Sequence, residues 1–364
     1  MSRMRTTGRL LAMQTRVLVG LAAGLDPPLL GTAVRGLVGR PRIDESVVGG
    51  VPATVFRPGR GRGPWPATVV YPGVTRQGRR HPALVGLGRG LAAVGHVAVV
   101  PEPIGVTFGE LTAATVAQAF AAAEATRSRR DVGEQGVALV GVSAGATLAL
   151  GVAAVPAVSA DVTAVLALAP VCDLTEALRF VTTGQRLEDG RLVPFRTRDF
   201  FRLVCARSLV AALPGSGPRD ELLARLRSLP DYGDDPFAVL RTWPSDALDA
   251  PGQAVVELLR NEDSHRFDEL LVGLPADVLA SLSALSVGTR AGAITAPVEL
   301  VVGRRDKYVP LHDALAFAEV CPTARLTVLE SLEHVVPRLA LREARHLARL
   351  DGALVRMLAS SYSR

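Results

Sequence analysis

Lysine is nearly missing from this 364-residue chain: of 41 basic residues only Lys307 is a lysine, which we read as compositional bias. Cysteine is scarce as well. Cys172, Cys205 and Cys321 lie far apart, form no C-x-x-C pair and are odd in number, so no disulfide framework and no thiolate metal site is expected, and a reducing compartment fits best. Aromatic residues make up only 4%, so a core has to be built from Val, Leu and Ala. The most apolar stretch near the N-terminus, Leu10–Leu25, is interrupted by Gln14 and Arg16 and is too short to span a bilayer. No H-E-x-x-H and no carboxylate–histidine cluster offers metal-ligand spacing. The glycines of Gly59–Gly63 lack the strand-to-helix setting and the G-K-[ST] ending of a phosphate loop. Neither a cofactor nor a metal is expected.

What is present is a globular composition, 48% hydrophobic and 21% charged, which excludes a disordered chain. The formal net charge of +6 is local. Residues 1–42 hold seven arginines against Asp26 alone, leaving 34 of the 41 basic and 34 of the 35 acidic residues for a neutral remainder. Such a body lacks the concentrated basic footprint that a phosphate backbone requires, so nucleic acid is not an expected partner. At 100° per residue, Leu10, Met13, Val17, Leu18, Leu21 and Leu25 share one side of a helix while Arg5, Arg9 and Arg16 gather on another. This basic amphipathic arm either packs on its own domain or lies on an anionic membrane surface through residues 1–25. The same stretch also resembles the first two regions of an export signal. The expected location is cytoplasmic, with membrane association through the arm as the open alternative.

Strands and helices alternate through the next part of the chain. Ser46–Gly49 and Pro52–Phe56 flank Gly49-Gly50, a dipeptide suited to a tight hairpin. Short unbroken apolar runs at Ala67–Tyr71, His96–Val100, Val137–Val142 and Val162–Val171 read as strands. They are separated by helical segments at His81–Val94, Leu111–Ser128 and Ala144–Ala154. That rhythm predicts a mostly parallel sheet covered on both faces. It stops from about Leu174 to Thr295, where the pattern is helical, at Thr197–Leu213, Asp220–Ser228, Ser245–Leu259 and Ala276–Leu285. It resumes with strand Pro297–Val302, helix Leu311–Val320, strand Ala324–Leu329 and helix Pro337–Leu358. The expected organisation is therefore an arm over 1–42, a core made of 43–173 and 296–364, and a helical cap over 174–295 inserted late in the sheet. Phe195, Phe200, Phe201 and Trp243 are its candidates for packing over a site.

The chemistry begins at Gly141-Val142-Ser143-Ala144-Gly145, which fits G-x-S-x-G between a predicted strand and a predicted helix. In that setting the serine sits on a sharp, strained turn that lifts its hydroxyl above the sheet edge, and Gly141 and Gly145 provide room for the crossing backbone. Here the chain resembles the α/β-hydrolase superfamily over roughly residues 45–360. The resemblance implies that fold and places an acid after a late strand and a histidine after the last one. Gly303-Arg304-Arg305-Asp306-Lys307-Tyr308-Val309-Pro310 looks like the acid loop, and His334 in Glu330-Ser331-Leu332-Glu333-His334 stands at the histidine position. The implied roles are Ser143 as nucleophile, His334 as general base and acid, and Asp306 as its orienting partner. Asp173, after the strand ending at Val171, is the alternative acid.

For the oxyanion hole the backbone N–H of Ala144 is expected, together with that of Val74 in the loop Tyr71–Gly78, which carries Pro72-Gly73 where many relatives carry His-Gly. Arg76, Arg79 and Arg80 beside that loop read either as a gate for an anionic group or as a solvated turn. The activity implied is hydrolysis of a small-molecule carboxylic ester with an apolar acyl group, through an acyl-enzyme on Ser143. Thioesterase, lactonase or amidase activity with the same triad is the alternative, as is a lyase or perhydrolase-type reaction. A non-catalytic, membrane-attached interaction protein is a third reading.

Overall fold

A computed structural model describes residues 39–233, 235–244, 247–330, 332–334, 336–337 and 344–361. The expected helix over 10–25 lies outside the described residues. Strand β1 (Arg42–Val48) turns back into β2 (Val51–Arg57) through Gly49-Gly50, whose φ values of 60° and 77° are those a two-residue hairpin needs. Gly49 has no alternative: a Cβ there would lie 2.3 Å from the carbonyl oxygen of Ala121. Then come β3 (Trp65–Tyr71), α1 (Pro82–Ala93), β4 (Val97–Pro101), α2 (Ala113–Arg127), β5 (Val132–Val142), α3 (Ala144–Ala153) and β6 (Val162–Leu168).

These strands belong to one eight-stranded sheet in the order β1-β2-β4-β3-β5-β6-β9-β10, where β9 is Val298–Gly303 and β10 is Ala324–Leu329. Only β2 runs against the others, antiparallel to both β1 and β4, and all remaining pairs are parallel. Alternate residues of the inner strands serve two separate cores. Val69, Tyr71, Val137 and Leu139 pack with α2 and α3 on one face, and Val70, Ala138 and Val140 with α1 and the C-terminal helix on the other. Strand β6 stops earlier than its apolar run suggests. Ala169 takes a φ of 50° and Val171 is held from both its N–H and its carbonyl by the Thr147 hydroxyl, so the chain leaves the sheet there.

Between β6 and its sheet neighbour β9 the chain makes an excursion through α4 (Leu174–Thr183), the hairpin β7–β8 (Gln185–Glu188 and Arg191–Pro194), α5 (Asp199–Ala212), α6 (Gly217–Ser228), α7 (Ala250–Arg260) and α8 (Ala276–Leu285), with short helical turns between them. This insert has its own apolar core, built from residues such as Leu178, Leu209, Leu222, Leu258 and Phe267. The hairpin is a non-helical element in an insert expected to be mainly helical. Asp189 (φ 49°) and Gly190 (φ 75°) form its turn, but its strands are polar and half-exposed and so carry no apolar run. After β9, α9 (Leu311–Val320) returns to β10, and α10 (Ala344–Ser361) closes the fold on the face that also carries α1.

Candidate active site

Ser143 stands where β5 ends and α3 begins, with φ 53° and ψ −123°, a region that L-residues rarely occupy. Its N–H donates to the Leu168 carbonyl at 2.8 Å, and its own carbonyl accepts from Ala146 N–H at 2.8 Å. The two flanking glycines are required sterically. A Cβ on Gly141 would sit 2.1 Å from the carbonyl oxygen of Gly145, and one on Gly145 would sit 2.2 Å from that of Tyr71 and 2.6 Å from that of Pro72. The turn is thus as tight as hydrogen-only side chains permit, and it leaves Ser143 partly accessible at the C-terminal edge of the sheet.

His334, beyond β10 and also at positive φ (57°), meets that hydroxyl: its Nε2 is 2.8 Å from Ser143 Oγ. Its Nδ1 is 2.9 Å from Oδ2 of Asp306, which lies in the loop between β9 and α9 and whose side chain is buried. The second oxygen of Asp306 accepts from the N–H groups of Tyr308 at 2.7 Å and Val309 at 3.2 Å. A carboxylate only accepts, so Nδ1 carries the proton and the lone pair of Nε2 faces the serine. The three side chains, 191 and 28 residues apart along the chain, are therefore joined in one hydrogen-bonded line.

Asp173 is not part of it. Its carboxylate accepts from the N–H groups of Thr175 (2.8 Å) and Glu176 (3.1 Å) and so caps α4, a local role that an Asp at this position fills well. The partner of His334 is Asp306, and the alternative acid is corrected accordingly. Tyr308 supplies a feature that sequence reasoning missed. Its ring stacks on the imidazole, with centroids 4.3 Å apart and planes inclined by 27°, and burial pushes its phenol up to about 12, so it remains a neutral hydroxyl. The only sequence signal was an aromatic residue two positions after the acid.

The loop after β3 presses against the elbow from the other side, where a Cβ on Gly73 would lie 2.9 Å from the Val142 carbonyl oxygen and 3.3 Å from Ser143 Cβ. Among the described residues neither the Val74 nor the Ala144 N–H is paired with another group, and both residues line the cavity that contains Ser143. The nearby arginines are bound to carboxylates. Arg79 bridges Glu45 (2.6 Å) and Glu102 (3.1 Å), and Arg76 reaches Asp231 of the insert at 3.4 Å, while Arg80 is exposed. All three guanidinium groups thus lie within 4.0 Å of a carboxylate, which removes the basis for an anion gate. Two other histidines serve the fold. His96 is wholly buried beside the Thr68 hydroxyl (3.0 Å), and burial lowers it to about 4; His81 Nδ1 accepts from Ala83 N–H and caps α1.

A cavity of about 1040 Å³ opens over the serine, lined mainly by Leu, Val and Phe. Phe200 and Phe201 of the insert line it. Phe195 instead packs edge-on against Phe180, with centroids 5.0 Å apart, and Trp243 packs on the insert's own core. All three cysteines are buried and unpaired, and burial raises the thiols of Cys172 and Cys205, so neither is set up as a nucleophile. Among the described residues no group of His, Cys, Asp or Glu side chains gathers as metal ligands, and no helix is long and apolar enough to cross a membrane.

The eight-stranded, mostly parallel sheet with helices on both faces makes this chain similar to several solved structures. Dipeptidyl peptidase 4 of Porphyromonas gingivalis aligns with a TM-score of 0.50 at 13% identity, covering 89% of this chain and 37% of that one. An acylaminoacyl peptidase of Pyrococcus horikoshii aligns with a TM-score of 0.50 at 13% identity, covering 90% and 43%. The fold is that of the α/β-hydrolases. Est1E of Butyrivibrio proteoclasticus aligns over 90% of this chain and 100% of its own, at 12% identity and a TM-score of 0.49. This chain spans less than half the length of the two peptidases. No protein-family model matches this chain, and no curated protein does.

Proposed function

We propose that the protein is a serine hydrolase that cleaves a carboxylic ester of apolar character through an acyl-enzyme on Ser143. One observation carries the reading: the continuous line Ser143 Oγ–His334 Nε2–His334 Nδ1–Asp306 Oδ2, at 2.8 and 2.9 Å, ending on a positive-φ serine in the wall of an apolar cavity. A serine hydroxyl is a poor nucleophile until a base takes its proton as it attacks, and His334 is placed to do so. The imidazolium that forms is stabilised by Asp306, and the Nε2 proton then passes to the leaving alcohol oxygen. Water, deprotonated by the same nitrogen, attacks the acyl carbonyl and releases the acid.

The tetrahedral oxyanion of each half-reaction falls to the N–H groups of Ala144, at the start of α3, and Val74. Each preorganised donor of this kind supplies about 3 kcal/mol of transition-state stabilisation. The core comprises 43–173 and 296–364, and residues 174–295 act as the cap that excludes water from the cavity. The test is labelling of the full chain by a fluorophosphonate together with turnover of p-nitrophenyl butyrate, both expected to vanish in Ser143→Ala. A folded protein that takes no label at Ser143 and turns over no ester would overturn the reading.

A further inference from the structure

The cavity draws its walls from two sides of the sheet. Leu84, Leu87 and Leu350 line it from α1 and α10, whose apolar residues belong to the core on one face. Leu178, Leu209 and Leu282 line it from α4, α5 and α8, and belong to the core of the insert. The insert's α8 packs on α2 and α3, the helices of the opposite face. A single cavity with walls from both sides must pass over the C-terminal edge of the sheet, and β5 delivers Ser143 to that edge. Ser143 therefore shares one cavity with two sets of apolar side chains, one from α1 and α10 and one from the insert, which form its two arms in the proposal that follows.

We infer that the substrate is an ester with a sizeable apolar group on each side of its carbonyl, one in each arm, in place of an apolar acid joined to a small or polar alcohol. The inference rests on the hydrolase reading and narrows its substrate class. Both groups leave water on binding, and about 0.8 kcal/mol per buried methylene corresponds to about a fourfold gain in kcat/KM. An arm closed by a bulky side chain loses that gain for its own group alone.

The experiment uses the full chain and two ester series, methyl esters of butyrate to dodecanoate and butyrate esters of methanol to dodecanol, with product acid measured chromatographically. In the wild type kcat/KM is expected to rise about fourfold per methylene along both series until each arm is full. Leu87→Trp should flatten one series and Leu282→Trp the other. A rise along one series only, or both tryptophans flattening the same series, overturns the two-armed substrate while fluorophosphonate labelling of Ser143 leaves the hydrolase reading standing. The wild-type series decide the matter even if a tryptophan variant does not fold. Absence of both labelling and turnover overturns both readings.

Discussion

Replacing Asp306 by Asn exchanges one heavy atom of the site, a carboxylate oxygen for an amide nitrogen, and isolates what the carboxylate does. One oxygen accepts from the Tyr308 and Val309 N–H groups and the other from His334 Nδ1. In the Asn variant the amide oxygen must stay on the two backbone N–H groups, because an NH₂ turned toward them would face donors with a donor. The NH₂ then points at His334 Nδ1 and can only donate. The imidazole responds by placing its proton on Nε2, where it faces Ser143 and cannot accept the hydroxyl proton. The loop keeps its hydrogen bonds, so the melting temperature should move by only a few degrees while kcat falls about 10⁴-fold, the loss that goes with a wrong tautomer, or about 5.4 kcal/mol. The assay is p-nitrophenyl butyrate hydrolysis between pH 6 and 9 beside a thermal melt. A folded Asp306→Asn protein retaining more than a tenth of wild-type kcat would refute the assigned role of the acid.

Gly145→Ala should abolish turnover and cost about 2 kcal/mol or more in stability, because its Cβ would enter the Tyr71 and Pro72 carbonyl oxygens; denaturant melts and burst amplitude check it. His96 is held at about 4 in the native state against about 6.5 unfolded. Between those values the unfolded chain binds a proton that the native protein does not. Its contribution, of order 3 kcal/mol, is thus complete above pH 6.5 and lost as pH falls to 4, a slope that His96→Asn should flatten in melts across that range. Arg207→Lys keeps the charge but leaves carbonyls of the insert unsatisfied, so a loss of about 2 kcal/mol or more is expected, with earlier cleavage of the insert in limited proteolysis.

The parts of the fold legible in the sequence are those where one physical demand dominates. The inner parallel strands are covered on both faces and so read as unbroken apolar runs, and the Gly49-Gly50 hairpin announces itself through its φ requirement. G-x-S-x-G is legible because each of its residues answers a separate constraint, two on space and one on chemistry. Less is visible where tertiary context decides. The β7–β8 hairpin pairs polar, half-exposed strands, and Asp189-Gly190 was its one local signal. Asp173 sits after a central strand, as an acid of this fold can, yet its side chain is one residue from a helix start and the cap takes it. Nor does spacing show that Tyr308 folds back onto His334, since the stack depends on how two separate loops meet.

The scarcity of lysine, which looks like composition alone, acquires a structural use in the insert. Helix ends leave unpaired carbonyls, and here guanidinium groups meet them repeatedly. Arg219 donates to the carbonyls of Val210 (3.1 Å) and Ala211 (2.7 Å) in the last turn of α5. Arg207, almost wholly buried, donates to Leu226 and Leu229 at the end of α6 and to Phe108 of the core. Arg202 reaches Val181 in α4, Arg290 reaches Ala284 in α8, and Arg260 reaches Leu240 and Trp243 at the end of a short helix. A guanidinium presents five donors in a rigid fork, so one side chain can satisfy two or three carbonyls at once, whereas an ammonium is a single strongly hydrated point that loses more on burial. Positive charge at a helix C-terminus is also favoured by the helix dipole. The short helices of the insert are thus joined through their polar ends as well as their apolar faces. Asp231, shared by Arg207 and by Arg76 of the loop beside Val74, extends the same linkage from the insert to the edge of the site.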